Sequence, residues 1–225
     1  MPRLDVWLVE EGLFSSRQAA KRAIKNGLVT VNGIQVKPSK QVSGNEKILV
    51  SEEARDLPQG YSKLQQLDEL IEGDIADTNT LALDIGSSAG GFLIYLEEKG
   101  ATVVGLEISS TFIPRLRELS ESSDRLTLIE GDAFTIELAQ VCRLDTLDLL
   151  LIDVTTEISG TLQLIERYTP LLKKDGRLIA AFKSRLKGDI LGRIQSTLTP
   201  NLYSNIETIE LDSSRQEFHL VAKRH

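Results

Sequence analysis

The chain has 225 residues, of which 41% are hydrophobic, so it is long enough for one large domain or for a small and a medium domain. Its single cysteine excludes an intramolecular disulfide, and its two histidines give no basis for a zinc site. No apolar run approaches the length of a membrane span, and acidic residues interrupt the N-terminal segment. We therefore expect a cytoplasmic protein without disulfides, a bound metal or a membrane partner.

The formal net charge of -7 is unevenly distributed along the chain. Residues 1–50 hold eight basic and four acidic residues, a net charge of +4, whereas the remainder carries -11. A basic segment attached to an acidic body is typical of a small module that binds a polyanion. We predict domains at 1–50 and 61–225, joined by a linker at 51–60 that lacks apolar periodicity.

A basic helix is predicted early in the first domain. Ser15, with Gln18 three residues later, has the spacing of a helix cap, and the helix should run to about Lys25. Arg17, Lys21 and Lys25 recur at every fourth position and therefore share one face of this helix. On charge alone, this face is either a solvated surface or a contact for a polyanion.

A tight β-hairpin is predicted over residues 28–36, where apolar residues alternate around an Asn-Gly pair that tolerates positive φ. Together the helix and hairpin resemble the S4 RNA-binding module. The residues that carry the resemblance are Arg3-Leu4-Asp5, Ser16-Arg17-Gln18-Ala19-Ala20, Ile24, Gly27, Val29, Val31-Asn32-Gly33 and Val36. The resemblance implies a small α+β domain that binds structured RNA through Arg3, Arg17, Lys21, Arg22, Lys25 and Asn32.

From Tyr61 onward, short apolar runs alternate with helix-like stretches, which predicts an α/β fold with a mostly parallel sheet covered on both faces. The predicted strands cover 81–85, 102–106, 126–129, 147–152 and 177–182, and the predicted helices cover 61–72, 90–99, 110–121, 159–173 and 186–197. Two further strands, 205–211 and 216–223, should form an antiparallel pair at the edge of the sheet because only a short turn separates them.

A glycine-bearing turn follows the first strand of this second domain. The strand ends at Asp84 and passes into the turn at 86–91, so a ligand should bind at the carboxyl ends of the strands. The dinucleotide-binding G-x-G-x-x-G pattern matches poorly, because Ser88 occupies its second glycine position. Asp84, the turn and Glu107 at the end of the next strand instead resemble a class I methyltransferase, which has a Rossmann-like fold.

This resemblance implies S-adenosyl-L-methionine as the cofactor. The implied cofactor-binding residues are Asp84, Gly86, Ser87, Ser88, Gly90, Gly91, Phe92, Glu107, Asp132 and Asp153. By the resemblance, the turn wraps the amino acid moiety, Glu107 holds the ribose hydroxyls and Asp132 approaches the adenine. Without it, Glu107 and Asp132 would simply be polar strand ends.

Four ionisable residues lie far apart in the second domain, each beside a local signature: Lys63, Asp153, Lys183 and Glu217. The segment around Lys63 is similar to the one before the first strand of FtsJ-type RNA 2′-O-methyltransferases. Asp153 and Lys183 follow the fourth and fifth predicted strands, and Glu217 opens the last. The four residues fill the Lys-Asp-Lys-Glu tetrad of that family, and with the S4 module the whole chain resembles the TlyA/FtsJ group.

The chemistry of ribose methylation explains these residue types. A ribose hydroxyl is a poor nucleophile at neutral pH, so catalysis needs orientation and removal of its proton. The resemblance makes Lys183 the base and gives Asp153 the task of positioning it. Lys63 should lower the pKa of Lys183 through its positive charge, and Glu217 should hold the group together.

The resemblance implies an enzyme that uses S-adenosylmethionine to methylate the ribose 2′-hydroxyl of RNA, with ribosomal RNA or a ribosomal subunit as partner and no DNA. A non-catalytic RNA-binding or ribosome-associated protein is the alternative, since segments 154–156 and 184–186 depart from the family patterns. A membrane-active haemolysin, the family's old name, is disfavoured because no long apolar span is present. The RNA, the nucleotide and the oligomeric state stay open.

Overall fold

The computed structural model divides the chain into two compact units, Met1–Pro58 and Gln59–His225. It describes the whole chain except residues 12, 15, 16, 52–56, 72, 73, 187, 199–201, 213 and 215. The helix cap predicted at Ser15 and the middle of the predicted linker therefore lie outside the described residues. The last two residues of that linker, Gln59 and Gly60, are already helical.

Two helices and a small sheet form the first unit. Its described elements are α1 (Leu4–Glu10), α2 (Arg17–Lys25), β1 (Val29–Val31), β2 (Ile34–Gln35) and β3 (Ile48–Val50). The strands are antiparallel, in the order β2-β1-β3. The predicted hairpin is confirmed, because Val31 pairs with Ile34 across Asn32 and Gly33, whose φ angles are 53° and 78°.

Helix α2 buries one face and exposes the other, as its residue spacing predicts. Ala20, Ala23 and Ile24 pack into a core with Leu4 and Leu8 of α1. The basic side chains occupy the other side of the helix.

The second unit is the predicted α/β domain. Its described strands are β4 (Leu81–Ile85), β5 (Thr102–Glu107), β6 (Leu126–Glu130), β7 (Leu147–Ile152), β8 (Leu172–Phe182), β9 (Tyr203–Ile209) and β10 (Phe218–Arg224). Its described helices are α3 (Gln59–Leu70), α4 (Gly91–Glu98), α5 (Ile113–Glu121), α6 (Leu138–Val141), α7 (Ile158–Tyr168) and α8 (Gly188–Leu198), with a 3₁₀ turn at Thr169–Leu171. The sheet order is β6-β5-β4-β7-β8-β10-β9.

The strands β4 to β8 are parallel, and β10 runs antiparallel to both β8 and β9. Apolar clusters cover both faces of the sheet. The mostly parallel sheet and the antiparallel last pair are therefore confirmed. The chain inserts β10 between β8 and β9, so β9 forms the edge of the sheet.

One strand begins earlier than its sequence pattern predicts. β8 starts at Leu172, which pairs with Leu147, and the ladder is irregular until Leu149 pairs with Arg177. Residues 173–176, between these two pairs, are largely charged and lack an apolar pattern, so no strand was predicted there. Helix α7 consequently ends at Tyr168, before the end of the predicted helix.

Within the described part of the chain, no helix combines the length and apolar character of a membrane span. The same residues contain no group of three or more His, Cys, Asp or Glu side chains placed to hold a metal ion.

Candidate active site

The four predicted tetrad residues meet in one closed charge array. The Nζ of Lys63 lies 2.7 Å from Asp153 Oδ2 and 2.7 Å from Glu217 Oε1. The Nζ of Lys183 donates to Asp153 Oδ1 and, at 2.5 Å, to Glu217 Oε2. Each carboxylate therefore bridges both ammonium groups with different oxygens. The four side chains are 13% to 27% exposed, so the array is accessible to solvent at its rim.

Strand register explains why residues so distant in sequence come together. Lys183 directly follows β8, and Glu217 directly precedes β10. These two strands pair with each other, and Phe182 lies opposite Phe218 in their register. Asp153 follows β7, the parallel neighbour of β8. Lys63 comes from the second turn of α3. The array thus lies where the carboxyl ends of β7 and β8 meet the start of β10.

The array shifts the pKa values of Lys183 and Asp153 in opposite directions. Burial acts to lower the pKa of Lys183, but the charges and hydrogen bonds of Asp153 and Glu217 outweigh it, so this pKa is raised. Burial acts to raise the pKa of Asp153, but Lys63 and Lys183 outweigh it and lower this pKa. The pKa of Lys183 is therefore raised and not lowered as expected, because the two adjacent carboxylates dominate its surroundings.

His219, which was not predicted as a site residue, lies next to the array. Its side chain is buried, and its Nε2 lies 3.4 Å from Glu217 Oε1. Neither ring nitrogen has a hydrogen-bond partner in the described structure. Burial, with the positive charge of Lys63, lowers the pKa of His219 to about 4, so the imidazole is neutral at neutral pH. His219 stands between the apolar residues Phe218 and Leu220, so residue spacing gave no signal for this contact.

The turn after β4 approaches the array through its first glycine. Gly86 has a φ of 87°, and a Cβ there would lie 2.6 Å from the carbonyl oxygen of Asp153. Glycine is therefore required because β4 and β7 end side by side, not only because a ligand could approach the backbone. The Cα of Gly91 packs against the backbone of Gly60 and Tyr61 in α3.

Other residues of the turn have structural contacts of their own. Ser87 donates a hydrogen bond from its hydroxyl to the carbonyl of Asp84, at 3.0 Å. Ser88 and Gly90 adopt positive φ angles of 51° and 82°. The side chain of Phe92 is buried in the apolar cluster of α3 and α4. The Phe92 ring, predicted to contact the cofactor, therefore belongs to the apolar core of the domain.

Asp84 has an unusual environment for a carboxylate. Its side chain is buried at the end of β4, and neither carboxylate oxygen has a hydrogen-bond partner in the described structure. Burial raises the pKa of Asp84 to about 7; the nearby Ser87 side chain opposes this shift, and the charges of Asp153 and Glu107 add smaller contributions to it. A buried carboxylate without a partner fits a ligand that brings a positive charge or a hydrogen-bond donor.

Two further acids lie at the ends of β5 and β6. Glu107 accepts three backbone N–H groups, those of Ser88 at 2.7 Å, Ile108 at 3.0 Å and Ser109 at 2.7 Å. A carboxylate has about four acceptor positions, so Glu107 keeps capacity for a hydroxyl donor. Asp132 accepts the N–H of Phe134 at 2.9 Å. Glu107 thereby joins the turn after β4 to the end of β5.

The predicted RNA-binding residues of the first unit fall into two groups. Arg3, Arg17 and Lys21 surround the buried carboxylate of Asp5, and Lys25 is exposed on the same helix as Arg17 and Lys21. The second group consists of Arg22 and Asn32, whose side chains form hydrogen bonds with backbone atoms. Arg22 donates to the carbonyl of Leu57 at 3.0 Å, and Asn32 accepts the N–H of Lys47 at 2.8 Å, which supports its hairpin.

Comparison with protein-family models agrees with this two-unit arrangement. Residues 2–48 match the S4 domain, and residues 58–188 match the FtsJ-like methyltransferase model, which is more than half of the chain. The fold and the site thus define a protein of the methyltransferase class with an S4 domain in front. The chain belongs to the FtsJ-like methyltransferase family.

Curated relatives match over part of their length. YqxC of Bacillus subtilis, named as a candidate rRNA methyltransferase, is 37% identical over 101 residues, 44% of this chain and 35% of that protein. Hemolysin A of Brachyspira hyodysenteriae is 33% identical over 103 residues, 45% of this chain and 42% of that protein. Ribosomal RNA small subunit methyltransferase A of Caulobacter vibrioides is 38% identical over 79 residues, 35% of this chain and 28% of that protein. The matches thus span less than half of each relative.

Solved structures agree on the fold. A candidate hemolysin from Streptococcus thermophilus superposes with a TM-score of 0.57 and 20% identity, covering 99% of this chain and 88% of that one. An rRNA methylase from the same species has a TM-score of 0.53 and 14% identity, covering 67% and 89%. At these identities the likeness establishes the fold alone.

Proposed function

We propose that the protein is an S-adenosylmethionine-dependent RNA methyltransferase that acts on a ribose 2′-hydroxyl, with ribosomal RNA as its substrate. The observation that carries the proposal is the closed array of Lys63, Asp153, Lys183 and Glu217, next to the turn after β4. Membership of the FtsJ-like family supports methyl transfer. The names of the Bacillus and Caulobacter relatives support ribosomal RNA.

The residues around the turn fit the proposed cofactor. Asp84 offers a buried carboxylate whose two oxygens have no hydrogen-bond partner among the described residues, which suits the cationic amino group of the methionine moiety. Glu107 keeps acceptor capacity for the ribose hydroxyls of the cofactor. We assign the adenine to Asp132, which follows the neighbouring strand β6. S-adenosylmethionine would supply a methyl group already activated by its sulfonium, so the protein has to orient the hydroxyl and take its proton.

Lys183 is the group we assign to that proton transfer. Lys183 and Lys63 hold the same two carboxylates, but Lys183 is 27% exposed and Lys63 is 13% exposed. The lysine with the more exposed side chain is the better placed to reach a hydroxyl of a large substrate. Lys63 then holds Asp153 and Glu217 from the protein side, which keeps both carboxylates directed at Lys183.

The raised pKa of Lys183 sets a condition on this role. A base must be unprotonated before it accepts a proton, whereas Asp153 and Glu217 favour the protonated form. Positive charge near Asp153 would compete for its carboxylate and lower the pKa of Lys183. A hydroxyl group that donates to Asp153 or Glu217 would act in the same direction. We therefore propose that Lys183 becomes an effective base when both S-adenosylmethionine and RNA are bound.

The first unit supplies the proposed RNA contacts. Its S4 match covers almost the whole unit, and its basic residues cluster on α2 and just before α1. Phosphate contacts of this kind give affinity with little sequence information. The target nucleotide would then be selected by the second unit, where segments 154–156 and 184–186 flank Asp153 and Lys183.

The direct test is methyl transfer to ribosomal RNA. The full chain is incubated with S-adenosylmethionine labelled in its methyl group and with unmodified ribosomal RNA, isolated subunits or transfer RNA. Label at a 2′-O-ribose position of ribosomal RNA, lost in Lys183→Ala, is the expected result. Label on a base would overturn the ribose assignment, and label on transfer RNA alone would overturn the substrate. RNA binding without transfer would favour the non-catalytic alternative.

A further inference from the structure

A buried carboxylate lies beneath the basic surface of the first unit. Asp5, in the first turn of α1, has a side chain with no solvent exposure. The Nε of Arg3 donates to it at 2.9 Å, Nη2 of Arg17 donates at 3.3 Å, and Nζ of Lys21 lies 3.8 Å away. Arg3 precedes α1, whereas Arg17 and Lys21 lie one turn apart on α2. The Asp5 carboxylate therefore binds cations from two separate segments, the residue before α1 and helix α2.

Asp5 is ionised in this arrangement. Burial acts to raise its pKa, but hydrogen bonds from Arg3 and Arg17 outweigh burial and hold the pKa below its ordinary value. Three positive groups around one negative group leave a local surplus of positive charge. The carboxylate therefore reduces the mutual repulsion of the cations without cancelling their charge.

The cations keep donors for a ligand after they have bound Asp5. The side chains of Arg3, Arg17 and Lys21 are 45%, 54% and 33% exposed. A guanidinium has five N–H groups, and Arg3 directs two of its donors at Asp5 while Arg17 directs one. The remaining N–H groups can bind an anion at the surface. Guanidinium groups suit phosphate in particular, because their paired donors match two phosphate oxygens.

We propose that Asp5 is a positioning residue that holds Arg3, Arg17 and Lys21 together as one phosphate-binding cluster for structured RNA. This inference rests on the RNA-binding part of the proposed function and adds the group that arranges the contacts. Without the shared anion, three like charges would separate, and each long side chain would have to be ordered again when RNA binds.

The inference predicts an effect opposite to that of net charge. Asp5→Asn removes a negative charge from an RNA-binding surface, so long-range attraction alone would tighten binding. If Asp5 arranges the cluster, the same change weakens binding of the full chain to ribosomal RNA by about tenfold, the scale of one charge-assisted hydrogen bond. Glu10→Gln is the matched control, because Glu10 is exposed, lies on the same helix and gives the same change in charge.

Two measurements separate positioning from a general loss of structure. In an Arg17→Ala background, Asp5→Asn should have a smaller effect on RNA affinity than in the wild type, because one of the three cations that it positions is already absent. Hydrogen exchange of the β1–β2 hairpin reports whether the first unit stays folded. S-adenosylmethionine binding should be the same in wild type, Asp5→Asn and Glu10→Gln.

If Asp5→Asn does not fold, the cluster is tested through its exposed cations. Arg3→Ala and Arg17→Ala should each weaken binding, and the double variant should lose less than the product of the two losses because both residues serve one site. Independent losses would overturn the cluster. If the wild type binds RNA and a folded Asp5→Asn binds it as tightly as Glu10→Gln does, only the role of Asp5 is overturned. A wild type that binds no RNA would overturn the proposed RNA function together with this inference.

Discussion

Phe182 and Phe218 lie opposite each other on the antiparallel strands β8 and β10, and their rings stack at a centroid distance of 5.1 Å with an interplanar angle of 7°. Lys183 follows the first ring in sequence, and Glu217 precedes the second. The stacked pair therefore fixes the register that brings the Lys183 ammonium group to the Glu217 carboxylate. Both rings are fully buried, so this part of the site rests on the core of the sheet.

Lys183→Ala should abolish methyl transfer while leaving both binding steps nearly intact. A general base contributes about 10² to 10⁴-fold to the rate, and the lost interaction exists mainly in the transition state. Single-turnover transfer of labelled methyl measures the rate, with calorimetry for the cofactor and filter binding for RNA. Lys174→Ala is the control, because Lys174 is an exposed lysine elsewhere in the same domain. A wild-type rate in Lys183→Ala would rule out Lys183 as the base.

Glu217→Gln should shift the pH dependence of methyl transfer toward lower pH. Glu217 helps to raise the pKa of Lys183, so its neutralisation lowers that pKa and leaves the lysine unprotonated at lower pH. The acidic limb of the single-turnover rate against pH should move down accordingly. Glu210→Gln, an exposed change of the same type, should leave the limb in place. An unchanged limb in Glu217→Gln would mean that another group accepts the proton.

Asp84→Asn should weaken S-adenosylmethionine binding and remove a pH dependence. The pKa of Asp84 is about 7, so the wild type should lose affinity for a cationic amino group as the carboxylate becomes protonated below that pH. Calorimetry between about pH 5.5 and 8 measures this, and the affinity of Asp84→Asn should stay flat over the range. A wild-type affinity that is equally flat would place the amino group elsewhere.

The same substitution should raise thermal stability at neutral and higher pH. The folded-state pKa of Asp84 lies above the ordinary value of 3.8, so the folded state binds more protons than the unfolded state between about pH 4 and 7. Stability from this group is therefore present at low pH and lost as the pH rises through that window. Asp84→Asn should unfold at a higher temperature than wild type at about pH 8, with little difference at about pH 4. Equal unfolding temperatures at both would show that the carboxylate is hydrated.

Gly86→Ala should lower both stability and activity. A φ of 87° is unfavourable for alanine, and the added Cβ would meet the carbonyl oxygen of Asp153. We expect a loss of about 1–3 kcal/mol in the free energy of unfolding, and a lower methyl-transfer rate because Asp153 is displaced. Gly192→Ala is the contrasting control, since a Cβ there meets nothing within 4 Å in helix α8. That change should stabilise the protein by up to about 1 kcal/mol, as seen in chemical denaturation.

Sequence patterns alone predicted the elements with strong periodicity and characteristic turns. The apolar spacing of α2 and the Asn32-Gly33 turn depend on residues near in sequence, so the helix and hairpin followed directly. The strand β8 shows the limit of such patterns. The residues of β8 that come after Leu172 are largely charged, and this part of the chain is a strand only because it pairs with β7.

What the sequence by itself determined is therefore the type and order of the strongly periodic elements, the α/β class of the second unit and the ends of strands at which its charged residues lie. The tertiary structure decided which of those ends are neighbours. The chain inserts β10 beside β8, and this non-local pairing brings Glu217 to Lys183. It also decided the direction of the pKa shift of Lys183, because such a shift depends on distances to charges contributed by remote segments, which residue spacing does not contain.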